Sequence, residues 1–354
     1  MKIDDVTLTL FKWDDIPETK YHAGAASSGG ESALGLLHIR TDEGIDGFSF
    51  LGSMSFSAEV DCKGIIRTLK PLLMGQDPLD REALYQAMWK RSRITTSRSI
   101  GAVDIALYDI AAKAAGLPLY KLLGVYRTSI PAYASSAVLP SRQAYVEEAL
   151  QYKENGWAAY KIHPPTQWRE DIEICRAVRE AVGNDYDLML DSMWSYTYDH
   201  AIKVGRAIEE LNYFWYEDPL ADDDLMGCMK LCEKLSIPLM ATEQSPGGFT
   251  NYVPWIINKA TDYLRGDVAV KGGITPESRQ RIWRRLSASI MKCIMEEIRL
   301  TTGQICTSFC RLKIRPISKC CSLRVLTNME LLMTWNPIRM ACSMRRRNQG
   351  WVRR

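Results

Sequence analysis

Three acidic residues that recur at one period constrain the fold of this chain more than any other feature. Asp191, Glu217 and Glu243 each end or follow a short apolar run, and each is separated from the next by 26 residues. A strand of about 5–6 residues, a helix of about 11–12 and two short loops add up to roughly that length, so the period predicts successive βα units. Consecutive parallel strands lie side by side, which would bring the three carboxylates together at one end of a sheet.

Such a cluster of carboxylates indicates a cation site. Three like charges at neighbouring strand ends repel one another unless a cation lies between them. An all-oxygen site with room for water and substrate suits Mg²⁺ best, so Asp191, Glu217 and Glu243 are the predicted Mg²⁺ ligands. The alternative is three solvated loop acids, which the repeated period and the preceding apolar runs argue against.

The motifs around these residues, taken in order, carry a family resemblance. They are Tyr160-Lys161-Ile162-His163, Leu190-Asp191-Ser192, Tyr216-Glu217-Asp218-Pro219, Thr242-Glu243-Gln244, and Asp267 followed by Gly272-Gly273-Ile274-Thr275. Together they resemble the enolase superfamily, in the mandelate racemase-like branch of its mandelate racemase/muconate lactonizing enzyme family. Residues 101–109 and 113–118 are similar to that family's helical bridge between two domains. The resemblance covers about residues 1–275.

The hydrophobic pattern predicts two folded domains before residue 276. Residues 3–11 and 33–40 alternate between apolar and polar residues, and residues 57–70, 80–90 and 99–116 have apolar residues at helical spacing. After Pro118 strands and helices alternate, which indicates a parallel sheet. We therefore expect an α+β capping domain over residues 1–125 and the first six strands of a modified TIM (β/α) barrel over residues 126–275.

Asp14–Glu31 is too polar and glycine-rich to form core, and by itself it predicts an ordinary surface loop. The resemblance implies instead that this loop closes over the barrel mouth, which makes His22 a candidate substrate contact. Trp194 and Tyr196 are further candidates. They could either stack on a sugar or fill the barrel rim, and both alternatives stay open.

Lys161 and His163 are the candidate catalytic residues. They are two residues apart on a predicted strand, so both side chains point to the same face, beside the predicted cation. The family resemblance implies a Lys-x-Lys pair here, with the second lysine usually acting as the base, and His163 replaces that lysine. The resemblance also implies that Asp267 orients a histidine on the seventh strand. The four histidines of this chain are at positions 22, 38, 163 and 200, so that partner is absent.

The chemistry that the resemblance implies is Mg²⁺-dependent removal of the proton next to a carboxylate, through an enediolate. The main prediction is dehydration of a sugar acid to a 2-keto-3-deoxy acid by a lyase. Racemisation or epimerisation of a 2-hydroxy acid uses the same first step and is the alternative. A remnant that binds metal without catalysis is the second alternative.

The composition changes abruptly at residue 276. Residues 276–354 hold 17 Lys and Arg against four Asp and Glu, a net charge of +13, which leaves −10 for residues 1–275 of a chain that carries +3. The segment also holds six of the ten cysteines and has no Asp, His or Tyr. A nucleic-acid or zinc module would need paired cysteines, histidines or interleaved aromatics, and a disulfide module would not suit the cytoplasm.

A shifted reading frame is the remaining explanation. In a shifted frame, each codon takes the last base of its neighbour. The codons of Arg281–Ile290 then allow the amino-acid string A-H-L-A-E-A-F-G-I-N, and those of Met291–Thr302 allow E-V-H-H-G-G-N-S-L-N-N. These strings resemble the family's seventh-strand region with its histidine. We infer a one-base slip between the codons of Thr275 and Arg281. The sequence therefore predicts that the barrel is incomplete and that residues 276–354 replace its last strands.

The hydropathy of the chain and its first residues predict its cellular location and the partners it can meet. The chain has no apolar run long enough to span a bilayer, and its first residues are acidic where a signal peptide would be basic. We expect a cytoplasmic protein whose partner is a small carboxylate, the sugar acid, and not nucleic acid or a membrane. The resemblance also implies that the chain can form homo-oligomers.

Overall fold

A computed structural model describes residues 1–20, 28–53, 56–125, 129, 131–245 and 247–279, together with the backbone of 344–347 and 350–353. The first domain begins with an antiparallel sheet in the order β1-β2-β3. These strands are β1, Ile3–Thr19; β2, Ser28–Thr41; and β3, Gly47–Leu51.

The β1–β2 hairpin is longer than the sequence predicts. Most of residues 14–31 were expected to form a loop, but β1 continues to Thr19 and β2 begins at Ser28, with Ile16 paired to Gly30 and Thr19 to Ser28. An antiparallel ribbon tolerates polar residues because it does not have to bury both faces, so polarity alone does not exclude a strand. His22 lies outside the described residues, and its predicted substrate contact stays a prediction.

Helices cover this sheet and complete the first core. They are α1, Glu59–Lys63; a π-helical turn, Gly64–Leu69; α2, Lys70–Leu73; α3, Arg81–Trp89; α4, Ser97–Ala114; and α5, Leu119–Leu122. The Thr96 side chain caps α4 by accepting a hydrogen bond from the Ser99 backbone amide at 2.9 Å. Apolar residues of α3 and α4, such as Met88 and Ile110, are buried against Leu37 and Ile39 of β2.

The second domain is a run of βα units, as the 26-residue period predicts. Its elements are β4, Tyr133–Ser135; α6, Arg142–Glu154; β5, Ala159–Ile162; α7, Trp168–Val182; β6, Asp187–Asp191; α8, Tyr198–Glu210; β7, Trp215–Glu217; α9, Leu225–Lys234; β8, Leu239–Ala241; α10, Tyr252–Ile257; and β9, Tyr263–Leu264. The six strands form one parallel sheet in chain order, β4 to β9. The predicted fold class, an α+β cap followed by a (β/α) barrel domain, is confirmed.

Alternate residues of the strands face a common apolar layer. Ala159 of β5, Met189 of β6, Trp215 of β7 and Met240 of β8 form one buried cluster. Because side chains two residues apart in a strand share a face, the residues that follow this layer by two positions lie above it at the carboxyl ends of the strands. We call the four residues the apolar floor.

Helix α4 joins the two domains through the glycine-rich turn after β9. Asp104 of α4 accepts hydrogen bonds from the Thr275 backbone amide at 2.8 Å and from the Thr275 hydroxyl at 2.7 Å. Gly273 has a φ of 114°, and a Cβ atom at this position would clash with the Asp104 carboxylate. The turn therefore needs glycine both for its backbone conformation and for its close approach to α4.

After the turn, residues 274–279 are helical. Farther along, β10, Met344–Arg347, pairs with β11, Gly350–Arg353, in a two-stranded sheet of their own. Neither strand pairs with β4 or β9, the two edges of the described parallel sheet. The prediction that residues 276–354 do not supply the last barrel strands lies outside the described residues for positions 280–343.

No helix among the described residues combines the length and the apolar character that a bilayer crossing requires.

Candidate active site at the strand ends

The carboxyl ends of β5, β6 and β7 bring three predicted site residues together above the apolar floor. Lys161, Asp191 and Glu217 each follow a floor residue by two positions, and Asp191 lies directly opposite Glu217 in the register of β6 and β7. All three side chains are almost completely buried, with 0–2% of each residue exposed. The spacing of the motifs thus converges on one point, as the parallel sheet requires.

Lys161 forms ion pairs with both carboxylates. Its Nζ donates to Asp191 Oδ2 at 2.7 Å and to Glu217 Oε2 at 2.9 Å. The indole nitrogen of Trp215, one of the floor residues, donates to the same Glu217 oxygen at 3.0 Å. Buried carboxylates are stable only when they are paired, so these donors account for the burial of Asp191 and Glu217.

His163 lies one residue beyond β5, on the same side as Lys161. Its Nδ1 lies 2.7 Å from the carbonyl oxygen of Ser136, which can only accept, so Nδ1 carries a hydrogen and donates it. The other ring nitrogen, Nε2, faces the site at 3.1 Å from Asp191 Oδ2. Burial lowers the pKa of His163, although the neighbouring Asp191 charge opposes that shift.

Glu243 comes to the site by a different route, because it lies two residues after β8 and not at its end. Between β8 and Glu243 the chain passes through Thr242, whose φ of 87° is unusual for a β-branched residue. Two hydrogen bonds hold Thr242 there: its hydroxyl donates to the Arg265 carbonyl at 2.8 Å and accepts from the Arg265 amide at 3.2 Å. The chain thereby turns so that the Glu243 carboxylate meets the Arg265 side chain at 2.9 Å.

Arg265, the first residue after β9, is a site residue that the sequence analysis missed. Its guanidinium contacts Glu217 Oε1 and Glu243 Oε1 and lies 3.8 Å from Asp191 Oδ2. One cationic side chain therefore touches all three predicted metal ligands. The only signal in the sequence is a basic residue two positions before Asp267, which is weak because arginines near strand ends are common on protein surfaces.

Asp218 is a second site residue that the sequence did not predict, although it belongs to the Glu217-Asp218-Pro219 motif. One oxygen from each of Asp191, Glu217 and Asp218 lies within 4.8 Å of the others, a grouping that could hold a metal ion. Asp218 is buried, and its Oδ2 has no hydrogen-bond partner among the described residues. Burial, followed by the charges of Asp191, Asp222 and Glu243, raises the pKa of Asp218 well above its usual range.

The donor set fits a hard divalent cation. Four buried carboxyl groups, Asp191, Glu217, Asp218 and Glu243, face two buried cations, Lys161 and Arg265. Burial alone would raise the pKa of Asp191, but Lys161, His163 and Arg265 outweigh it and hold that pKa well below its usual range. Oxygen-only ligation of this kind suits Mg²⁺ rather than softer metals, whose sites use cysteine or histidine.

The structure distinguishes the two predicted aromatic contacts. Tyr196 is buried, and its hydroxyl donates to the Asp171 carboxylate on α7, so this contact favours the rim-filling alternative for Tyr196. Trp194 has a positive φ of 59°, and its backbone amide donates to the Asp218 carbonyl at 2.7 Å. That bond ties the loop after β6 to the loop after β7 and leaves the role of the indole ring a prediction.

Asp267 lies three residues after β9. Its side chain accepts a hydrogen bond from the Ala269 amide at 2.8 Å and so caps the turn that leads to Gly272. In the same turn, Lys271 is buried and donates to the Ser245 hydroxyl at 2.8 Å. This buried lysine links the loops after β8 and β9, and sequence reasoning did not identify it because a lysine before a glycine pair normally suggests an exposed turn.

Comparisons with known proteins agree with this architecture. Residues 9–124 match the family model described as the mandelate racemase / muconate lactonizing enzyme N-terminal domain, and residues 144–295 match the enolase C-terminal domain-like model. Among solved structures, D-glucarate dehydratase from Agrobacterium tumefaciens, complexed with magnesium, superposes with a TM-score of 0.73 at 30% identity. That superposition covers 81% of this chain and 78% of the other.

Two curated relatives are sugar-acid dehydratases. L-talarate/galactarate dehydratase of Salmonella typhimurium is 33% identical over 70% of this chain and 63% of the relative. Arabinonate dehydratase of Saccharolobus solfataricus is 30% identical over 67% of this chain and 65% of the relative. The chain thus spans less than two thirds of the length of either.

The magnesium of the solved relative supports the predicted Mg²⁺ cofactor. On these matches, together with the strand-end carboxylates, the chain belongs to the mandelate racemase/muconate lactonizing enzyme family of the enolase superfamily.

Proposed function

We propose that this chain binds Mg²⁺ through Asp191, Glu217 and Glu243 and removes the proton next to the carboxylate of a sugar acid. We further propose that dehydration to a 2-keto-3-deoxy acid is the reaction for which the site is built. The observation that carries the proposal is the convergence of Lys161 with the buried Asp191 and Glu217 at the strand ends. The dehydratase activity of the two curated relatives supports the choice of substrate class.

Lys161 and His163 supply the proton chemistry in this proposal. The Nδ1–H of His163 is committed to the Ser136 carbonyl, so Nε2, 3.1 Å from Asp191 Oδ2, is the ring nitrogen that can exchange a proton with a substrate carbon, and it acts as a base only in the unprotonated imidazole. The Lys161 ammonium lies where it can stabilise the negative charge that then develops on the substrate carboxylate. The chemistry that bound Mg²⁺ would supply is further stabilisation of that charge.

Completion of the dehydration requires a second group. After the proton leaves, the neighbouring C–O bond breaks, and the departing hydroxide takes a proton to form water; the enol product then becomes the 2-keto acid. In the family the donor is a histidine oriented by the residue that matches Asp267, and this chain has no histidine after His200. We therefore propose that the chain as written exchanges the proton slowly without net dehydration.

The missing histidine also favours a second candidate function, a remnant that binds the metal and a carboxylate without turnover. The two candidates differ in one observable, the exchange of the substrate proton with solvent. Racemisation would likewise begin with exchange, but it would then invert the carbon.

The test is an incubation of the full chain with galactarate, L-talarate and arabinonate in D₂O containing Mg²⁺, followed by ¹H NMR. Loss of the signal from the hydrogen next to the carboxylate, without 2-keto product, is the expected result. His163→Asn and Lys161→Met should each abolish the loss. Full retention of the signal at saturating Mg²⁺ would favour the remnant, and an inverted diastereomer would favour the racemase.

A further inference from the structure

The backbone of Arg265 is held firmly at the end of β9. Its amide donates to the Ala241 carbonyl at 2.9 Å, and its carbonyl accepts from the Thr242 hydroxyl at 2.8 Å. Arg265 is about 9% exposed. Any displacement of its charge must therefore come from the side chain, because the backbone is fixed by β8 and the turn that follows it.

The guanidinium spans the three carboxylates that the proposed function assigns to Mg²⁺. Nη1 contacts Glu217 and lies 3.8 Å from Asp191, while Nη2 lies 2.9 Å from Glu243. Lys161 differs in its position, since its ion pairs among the described residues are with Asp191 and Glu217. Arg265 therefore links Glu243 to the other two carboxylates.

A guanidinium and Mg²⁺ cannot hold these carboxylates at the same time. Mg²⁺ requires its oxygen ligands at about 2.0–2.1 Å, which places the ion in the space between them. The planar guanidinium contacts Glu217 and Glu243 and lies 3.8 Å from Asp191, and its positive charge repels a second cation. One of the two cations must leave for the other to bind.

We propose that Arg265 is a built-in competitor of the divalent cation: its guanidinium neutralises Asp191, Glu217 and Glu243 in the metal-free chain and must withdraw before the metal binds. The inference rests on the proposed Mg²⁺ site. The apparent metal affinity is then the intrinsic affinity multiplied by the fraction of chains in which Arg265 has withdrawn. Arg265 therefore stabilises the metal-free protein and weakens metal binding.

Metal titration of the full chain tests this competition. Mn²⁺, which is observed by EPR, is titrated into the wild type and into Arg265→Gln and Arg265→Lys. We expect the apparent Kd of Arg265→Gln to be at least about tenfold lower than that of the wild type, and that of Arg265→Lys to lie between them. Arg98→Gln is the matched control, since it removes an arginine from another buried carboxylate, Asp61, and should leave the Kd unchanged.

A second measurement needs no variant and therefore does not depend on whether Arg265→Gln folds. Phenylglyoxal modifies accessible arginines, and mass spectrometry gives the rate at Arg265 with and without Mg²⁺. Withdrawal of the guanidinium predicts a rate several-fold higher with Mg²⁺.

Two results would overturn the inference about Arg265 and leave the proposed Mg²⁺ site intact. One is an equal or higher Kd for a folded Arg265→Gln, and the other is a modification rate at Arg265 that Mg²⁺ leaves unchanged or lowers. A different failure would be no saturable Mn²⁺ binding by the wild type or either variant. That result would remove the metal site itself, and the competition with it.

Discussion

Asp191 lies at the centre of the charges at the strand ends. Lys161, His163 and Arg265 all approach its Oδ2, and their charges lower its pKa although burial opposes them. A carboxylate that remains ionised while buried is a strong ligand for a cation, because binding costs no deprotonation. The residue is therefore the most direct point at which to perturb the proposed metal site.

We expect Asp191→Asn to raise the apparent Kd for Mn²⁺ by at least about 100-fold, since even residues that only orient a metal ligand typically change affinity by about 10–100-fold. EPR titration measures the change. Asp187→Asn is the matched control because Asp187 is exposed at the opposite end of β6. An unchanged Kd for Asp191→Asn would contradict the assignment of Asp191 as a ligand.

A substitution at Tyr196 distinguishes a structural role of this residue from a substrate contact. Its hydroxyl donates to Asp171, whose pKa burial raises to about 6. Tyr196→Phe removes the hydroxyl that donates to this buried carboxyl, so we expect the free energy of unfolding to fall by about 1–3 kcal/mol. The Kd for the sugar acid, measured by calorimetry, should not change. A weaker Kd with unchanged stability would instead support the sugar-stacking alternative.

At the scale of elements, the contact between α4 and the turn after β9 holds the cap to the barrel domain. The turn combines a positive φ at Gly273 with hydrogen bonds from Thr275 to Asp104. The same turn follows Asp267 and Arg265, so its position affects the geometry of the site as well as the interface between domains.

Gly273→Ala should lower the free energy of unfolding by about 2–4 kcal/mol, because it adds both backbone strain and a clash with Asp104. Gly156→Ala is the control: Gly156 also has a positive φ, 79°, but nothing lies within 4 Å of the added Cβ. The control should lose only about 1 kcal/mol. If urea denaturation shows equal losses of unfolding free energy for the two variants, the close approach of Gly273 to α4 is not a constraint.

Asp104 makes this contact sensitive to pH. Burial raises its pKa from 3.8 to about 6, so the folded state binds the proton more tightly than the unfolded state. The resulting stabilisation is present below about pH 4 and is lost as the pH rises through about 6. It contributes about 3 kcal/mol at most to the free energy of unfolding. Relative to Asp104→Asn, the wild type should therefore lose stability over this range in urea denaturation. A difference that does not vary with pH would contradict the shift.

At the scale of the whole molecule, the composition divides the chain at residue 276, and the two parts predict different behaviour. Residues 1–275 carry the strand-end site, whereas residues 276–354 carry a net charge of +13 and no histidine. The reading-frame hypothesis assigns the missing catalytic histidine to the alternative translation of that segment.

Replacing residues 276–354 with the alternative translation should convert proton exchange into dehydration. Loss of a general acid typically costs about 10²–10⁴ in rate, so the restored chain should form 2-keto acid at least about 100-fold faster than the chain as written. A colorimetric assay for 2-keto acids measures both. Equal rates would contradict the hypothesis that the segment lacks a catalytic group.

The sequence predicts the features that depend on spacing. The 26-residue period correctly places β6, β7 and β8, and alternation within the strands places Lys161, Asp191 and Glu217 on one face. The sequence could not predict that the Arg265 side chain lies at the carboxylates, because the direction of a long side chain depends on packing from several elements. Nor could it predict Thr242 with a positive φ, which tertiary hydrogen bonds to Arg265 maintain against local preference.

An anomalous difference map of a crystal of the full chain grown with Mn²⁺ tests the proposed metal site and its competition with Arg265 together. We expect one strong peak per chain among the carboxylates of Asp191, Glu217 and Glu243, with the Arg265 guanidinium displaced from them. A map without a peak there, with Arg265 still between the three carboxylates at saturating Mn²⁺, would contradict this expectation.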